Sequence, residues 1–111
     1  MNDVLEVELP SGRRQQVFVD ARSVKAIRFW SIILSPRATR ELGGGRPSEY
    51  AWERNRLSDL MGFSVDGRGR LIGETWIADE AMTPDTLSLH VHEVARVCDW
   101  HEFRLSAKDE Y

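Results

Sequence analysis

A chain of 111 residues with 41% hydrophobic and 30% charged residues has globular composition and room for one domain around a single core. The apolar content argues against wholesale disorder, and the formal net charge of −3 argues against a protein whose main task is gripping phosphate backbones. Cys98 is the only cysteine, which excludes an internal disulfide and a structural zinc site built on thiolates.

Met1-Asn2-Asp3-Val4 lacks the basic-then-apolar order of a signal peptide. No apolar run approaches the roughly 20 residues that span a bilayer. A cytoplasmic protein without membrane contact is therefore expected.

Val4 to Leu9 alternates, with Leu5, Val7 and Leu9 on one face and Glu6 and Glu8 on the other, the period-2 pattern of a half-buried strand. Pro10-Ser11-Gly12 supplies turn chemistry, and Gln15 to Val19 alternates again, so the two segments read as a hairpin. Val24 to Leu34 is apolar on both faces and rich in β-branched and aromatic residues, which favours a central strand. A helical spacing of Val24, Ile27 and Trp30 is the alternative. Pro36 to Pro47, with Gly43-Gly44-Gly45, reads as a surface loop, since no Lys-Ser/Thr follows the glycines as a phosphate loop would need.

Ser48 fits an N-cap, and Tyr50, Ala51, Arg54, Leu57, Leu60 and Met61 follow at helical spacing, with Gly62 placed as a C-cap. Phe63-Ser64-Val65, the turn signal Asp66-Gly67 and a return strand from Arg70 to Ala78 make a second hairpin. Leu87 to His92 alternates like a strand. Thr83 as cap, Pro84 at the first helical position and Asp85 at the positive end of the helix dipole favour a helix instead. Leu87, Val91, Val94, Ala95 and Cys98 then continue one helical stripe, and a charged tail, Lys108 to Tyr111, closes the chain. The sum is an α+β domain over residues 1–111: a five-stranded, mainly antiparallel sheet with a long C-terminal helix on it and the short helix at one edge.

The histidines do not converge. On a helix His90 and His92 point roughly 200° apart, and His90 and His101 lie about 16 Å apart along the axis. Cys98 and His101 are neighbours, but Cys98 belongs to the buried stripe. Surface histidines and no metal are expected. The serines lack a nucleophile-elbow context, and the acid pairs Asp79-Glu80 and Asp109-Glu110 read as solvated charge. No catalytic residue and no cofactor is assigned.

Two surfaces remain. Arg13, Arg14, Arg68 and Arg70 sit at the two hairpin turns and would form a basic rim if those turns lie together, which is the alternative reading of a small nucleic-acid-associated protein. The negative balance and the nearby acids Glu6, Glu8, Asp66 and Asp99 weigh against nucleic acid and for solvated turn charges. The second surface is an apolar stripe of the last helix, Val97, Trp100 and Phe103, lying away from the buried seam. It needs either the loop 36–47 or a partner to cover it, and Trp is enriched at interface anchors. Trp52 and Trp76 are lesser candidates for the same partner or dimer surface.

The element order resembles the type III secretion chaperone-like fold, including its YbjN-like branch. The similarity rests on Gly12-Arg13-Arg14-Gln15 before Val17, on Asn55-Arg56-Leu57 and on Asp66-Gly67-Arg68-Gly69-Arg70-Leu71. It continues through Met82-Thr83-Pro84-Asp85, Val94-Ala95-Arg96-Val97-Cys98-Asp99 and Lys108-Asp109-Glu110-Tyr111. The family's secretion chaperones begin with a helix, whereas this chain opens on a strand. The resemblance implies a non-enzymatic, cofactor-free protein-binding module of chaperone or adaptor kind, a homodimer with apolar grooves for extended segments of partner proteins.

Overall fold

The computed structural model describes residues 2–21, 25–42, 47–57 and 61–109. The alternating segments form five strands: β1 (Asn2–Glu8), β2 (Arg14–Asp20), β3 (Ala26–Leu34), β4 (Gly62–Val65) and β5 (Leu71–Ala78). They make one sheet in the order β1-β2-β3-β5-β4, every pair antiparallel. The helices are α1 (Pro36–Arg40), α2 (Pro47–Leu57) and α3 (Pro84–Asp109). The α+β architecture expected from the sequence is the one observed.

Register assigns the faces. Leu5 lies opposite Val17, Val19 opposite Phe29, Phe29 opposite Thr75 and Phe63 opposite Gly73. Residues directly opposite share a face, so Val17, Phe29, Ile33, Leu71, Ile77 and Phe63 form one buried apolar layer. α3 lies on that layer through Val91, Val94, Ala95, Cys98 and Leu105. Its start is a reciprocal cap: Thr86 N–H donates to Thr83 Oγ1 at 3.1 Å and Thr83 N–H donates to Thr86 Oγ1 at 2.8 Å.

Beyond Phe18 toward the first hairpin turn, β2 and β3 stop pairing as strands. Side chains bridge the gap: Gln15 Nε2 donates to Ser31 Oγ at 2.7 Å and to Ile32 O at 3.0 Å, and Ser31 Oγ donates to Gln16 O at 2.6 Å. Gln15 and Ser31 are both buried, and these bonds satisfy them there.

Several boundaries differ from the sequence reading. Pro36–Arg40 is helical rather than loop, because Ser35 Oγ accepts the Ala38 N–H and Pro36 occupies the first turn. The glycines 43–45 and residues 58–60 lie outside the described residues. α2 starts at Pro47, which puts Ser48 inside the helix rather than at its cap. Gly62 does not cap it: Asn55 binds both backbone groups of Phe63, accepting its N–H at 2.5 Å and donating to its carbonyl at 2.9 Å, and Gly62 already pairs with Glu74 in β4. This clamp also occupies the outer side of an edge strand, where unpaired backbone would otherwise face water. The expected tail is helix through Asp109, since Leu105 is buried and holds the last turns down. Leu87 is 37% exposed and does not join the seam; His90 takes that place, its ring 5.9 Å from Phe29.

Thr39 ties α1 to the sheet. Its buried hydroxyl accepts the Leu71 N–H at 3.0 Å and donates to Ser35 O at 2.7 Å. Thr39→Val keeps the shape but leaves a buried N–H without an acceptor, so a loss of about 1–3 kcal/mol in urea unfolding is expected. An unchanged midpoint would show that this bond carries no stability.

Candidate functional site

The stripe of α3 opposite the seam is where the structure leaves large apolar side chains in water. Trp100 is 47% and Phe103 56% exposed, with Leu89 also exposed further along the helix. Val97 differs from that expectation: it is partly buried and packs against the core, because it flanks Val94 and Cys98 closely enough to complete the seam. The loop 36–47 does not cover the stripe in its described part, since α1 is held at the end of β3 by Thr39. Guanidiniums sit on the rings instead. Arg13 lies 4.5 Å from the Phe103 centroid and Arg104 5.1 Å from that of Trp100.

Arg13 is fixed from below by Asp99, a buried carboxylate on α3. Its Nε donates to Asp99 Oδ1 at 3.0 Å and its terminal nitrogen to Oδ2 at 2.7 Å, the bidentate geometry that suits guanidinium and carboxylate. Glu102 beside them is held above the usual carboxylate range by burial first and by the Asp99 charge second. The first hairpin turn is thus anchored to α3 next to Phe103.

Both hairpin turns lie at the same end of the sheet, as the antiparallel order β1-β2-β3-β5-β4 requires. The expected rim therefore assembles in space, but most of its charge is spent within the protein. Arg13 is on Asp99, Arg14 reaches Glu6 at 3.6 Å, and Arg70 reaches Asp66 at 2.7 Å. Arg68 has no ion pair among the described residues.

Trp76, grouped with Trp100 in the sequence reading, lies on the other side of the molecule. In β5 it alternates with Thr75 and Ile77, so it points away from α3, and it is 51% exposed. On that open face Val4, Phe18 and Trp30 line up across three strands by register. Phe18 and Trp30 stack at 4.3 Å between centroids. Arg28, ion-paired with Glu74, lies over the Trp30 ring at 5.1 Å, and Arg70 lies over it at 5.4 Å. The sequence reading missed Phe18 and Trp30 as surface residues. The signal was present in the alternation of β3, where Arg28, Trp30 and Ile32 share a face. Trp52 is exposed on α2.

The histidines occupy three settings. His92 is exposed on Ser88 O, and His90 bonds Thr86 O beside Phe29, so they diverge as their spacing predicts. His101 corrects the expectation of surface histidines. It is 5% exposed, its Nδ1 is 2.8 Å from the Tyr50 hydroxyl, and Phe63 meets it edge-on at 5.1 Å. Burial, followed by the charges of Arg54 and Arg104, pushes it down to about 4, so it is neutral at pH 7. Burial likewise pushes the Cys98 thiol well above its ordinary range, which makes it a packing group rather than a nucleophile. Among the described residues no three His, Cys, Asp or Glu side chains cluster as metal ligands, and no helix is long and apolar enough to cross a membrane.

No protein-family model, no curated protein and no solved structure matches the chain.

Proposed function

We infer that the chain is a non-enzymatic protein-binding module of chaperone or adaptor kind, which pairs with a second copy through the outer flank of α3. One observation carries this reading: α3 buries a complete seam on the sheet and yet keeps Leu89, Trp100 and Phe103 in water along its outer side. Large aromatics held in place by Arg13 and Arg104 are partly ordered before any partner arrives, which lowers the entropy cost of docking. A stable interface of this kind buries roughly 800 Å² per partner, a patch that the outer side of a helix as long as α3 can supply. The resemblance to the secretion-chaperone fold supports the same reading.

Light scattering tests it. The wild-type chain should be dimeric at micromolar concentration, and Trp100→Asp should be monomeric with its helical circular dichroism retained, because Trp100 lies outside the core. A wild-type chain that stays monomeric, or a dimer indifferent to Trp100→Asp, would remove the α3 flank from this role.

A further inference from the structure

The open face of the sheet holds a cavity of about 490 Å³ whose walls include Arg28, Arg68, Arg70, Asp66, Phe18 and Trp30. Its walls are rich in hydrogen-bond donors and poor in free acceptors. Asp66 is engaged by its own turn: Oδ1 accepts the N–H groups of Arg68 at 3.0 Å and Arg70 at 2.9 Å, and Oδ2 accepts Arg70 Nε at 2.8 Å and pairs with its terminal nitrogen at 2.7 Å. The Asp66 charge is thus taken up by the turn backbone and by Arg70. Glu74 is engaged by Arg28. The Trp30 indole N–H is buried and has no acceptor among the described residues. Three guanidiniums and one carboxylate line the cavity, with Glu74 on Arg28 and Asp20 opposite Arg28 in register, on a chain whose overall charge is −3.

The apolar surroundings extend past the cavity on both sides. Val4 continues the Phe18–Trp30 row toward the β1 edge and is 55% exposed, and Trp76 stands opposite Arg28 with the guanidinium 6.0 Å from its ring. The Trp30 ring already carries Phe18 and two guanidiniums, which leaves little room for a stacking nucleobase.

We propose that this face docks an extended acidic segment of a partner protein, with an Asp or Glu carboxylate on Arg68 and flanking apolar side chains against Phe18, Trp30 and Trp76. The docking rests on the reading of the chain as a protein-binding module, but not on the α3 dimer. Arg68 supplies the charge because it is the rim arginine without a carboxylate among the described residues, and it stands in a turn whose shape is set by Asp66 and by Gly69 at φ 81°.

A displayed library of random twelve-residue peptides, selected on the immobilised wild-type protein, tests the docking. The enriched peptides should carry Asp or Glu beside apolar or aromatic residues. In fluorescence anisotropy, synthetic copies should lose roughly tenfold or more in affinity to Arg68→Glu, retain most of it with Arg68→Lys, and bind more weakly as salt rises. Arg68→Glu should fold normally, since Asp66 holds the turn through backbone N–H groups. Enriched peptides that are neutral or basic, or that bind Arg68→Glu equally well, would overturn the docking and leave the protein-binding reading standing. No enrichment on a protein that dimerises through Trp100 overturns the docking alone; no enrichment on a protein that is also monomeric overturns both. A dimer broken by Arg68→Glu would assign this face to a second copy and overturn the acidic occupant.

Discussion

Gly73→Ala is expected to destabilise the domain by about 1–3 kcal/mol, read as a lower midpoint in urea unfolding. The sign is informative, because alanine in a strand interior ordinarily costs less than glycine. Here a Cβ would come within 2.6 Å of Cys98 Sγ and 3.1 Å of Met61 Cε. The Met61 methyl end can move aside, but Cys98 has one short rotor in a fully buried stretch of α3. Either α3 lifts from β5 or the strand bends, and both disturb the layer containing Phe29 and Val94. Cys98→Ala should then act in opposite directions. In the wild-type background it removes buried volume and costs roughly 1 kcal/mol; in the Gly73→Ala background it relieves the contact and restores stability. Additive effects of the two changes would show that α3 does not approach β5 this closely. Trp100 lies two residues beyond Cys98 and Asp99 one, so the close approach at Gly73 also sets where the exposed aromatic and the Arg13 anchor stand.

How far the sequence leads depends on the range of the interaction that decides each feature. The strands and α3 were legible because alternation, Pro84 and the Thr83 cap act within a few residues. α1 was missed because three glycines close by dominate the composition of that stretch, while the local Ser35 cap and the long-range bond from Thr39 to Leu71 decide its conformation. Gly62 reads as a helix end until the Asn55 clamp on Phe63 is known, and that clamp joins residues eight apart through side-chain geometry. The exposed positions Trp100 and Phe103 followed from helical spacing. Val97 did not, since a position at the border of the seam is decided by how wide the sheet is beneath it. Whether the two hairpin turns meet stays open in the sequence, and so do the partners that neutralise the rim, which are distant: Asp99 is 86 residues from Arg13. The stacked Phe18–Trp30 pair joins two strands, so the alternation of Arg28 and Trp30 in β3 hints at an open face that only the pairing with β2 completes.

Acidification should weaken the fold between about pH 6.5 and 4 through His101. In the unfolded chain this imidazole takes a proton at its ordinary 6.5, whereas in the fold burial, then Arg54 and Arg104, hold that step down to about 4. The unfolded state therefore binds more protons across this window, so stability is full above pH 6.5 and falls as pH drops through it. Allowing for solvent screening at the rim of the ring, the loss is on the order of 2 kcal/mol. A charged ring donates from both nitrogens, so in the protonated state the Tyr50 hydroxyl accepts from Nδ1. Urea midpoints of the wild type and His101→Gln at pH 7.5 and 4.5 separate this effect from that of the carboxylates, which both proteins share. The variant should be less stable at pH 7.5, having lost the ring packed between Phe63 and Tyr50, yet it should lose less on acidification. Equal losses in the two proteins would mean that His101 titrates alike in the folded and unfolded chains. Since His101 adjoins Trp100 and its bond to Tyr50 joins α2 to α3, protonation would loosen the joint that supports the exposed tryptophan. The self-association proposed for Trp100 should therefore weaken over the same pH window as the fold.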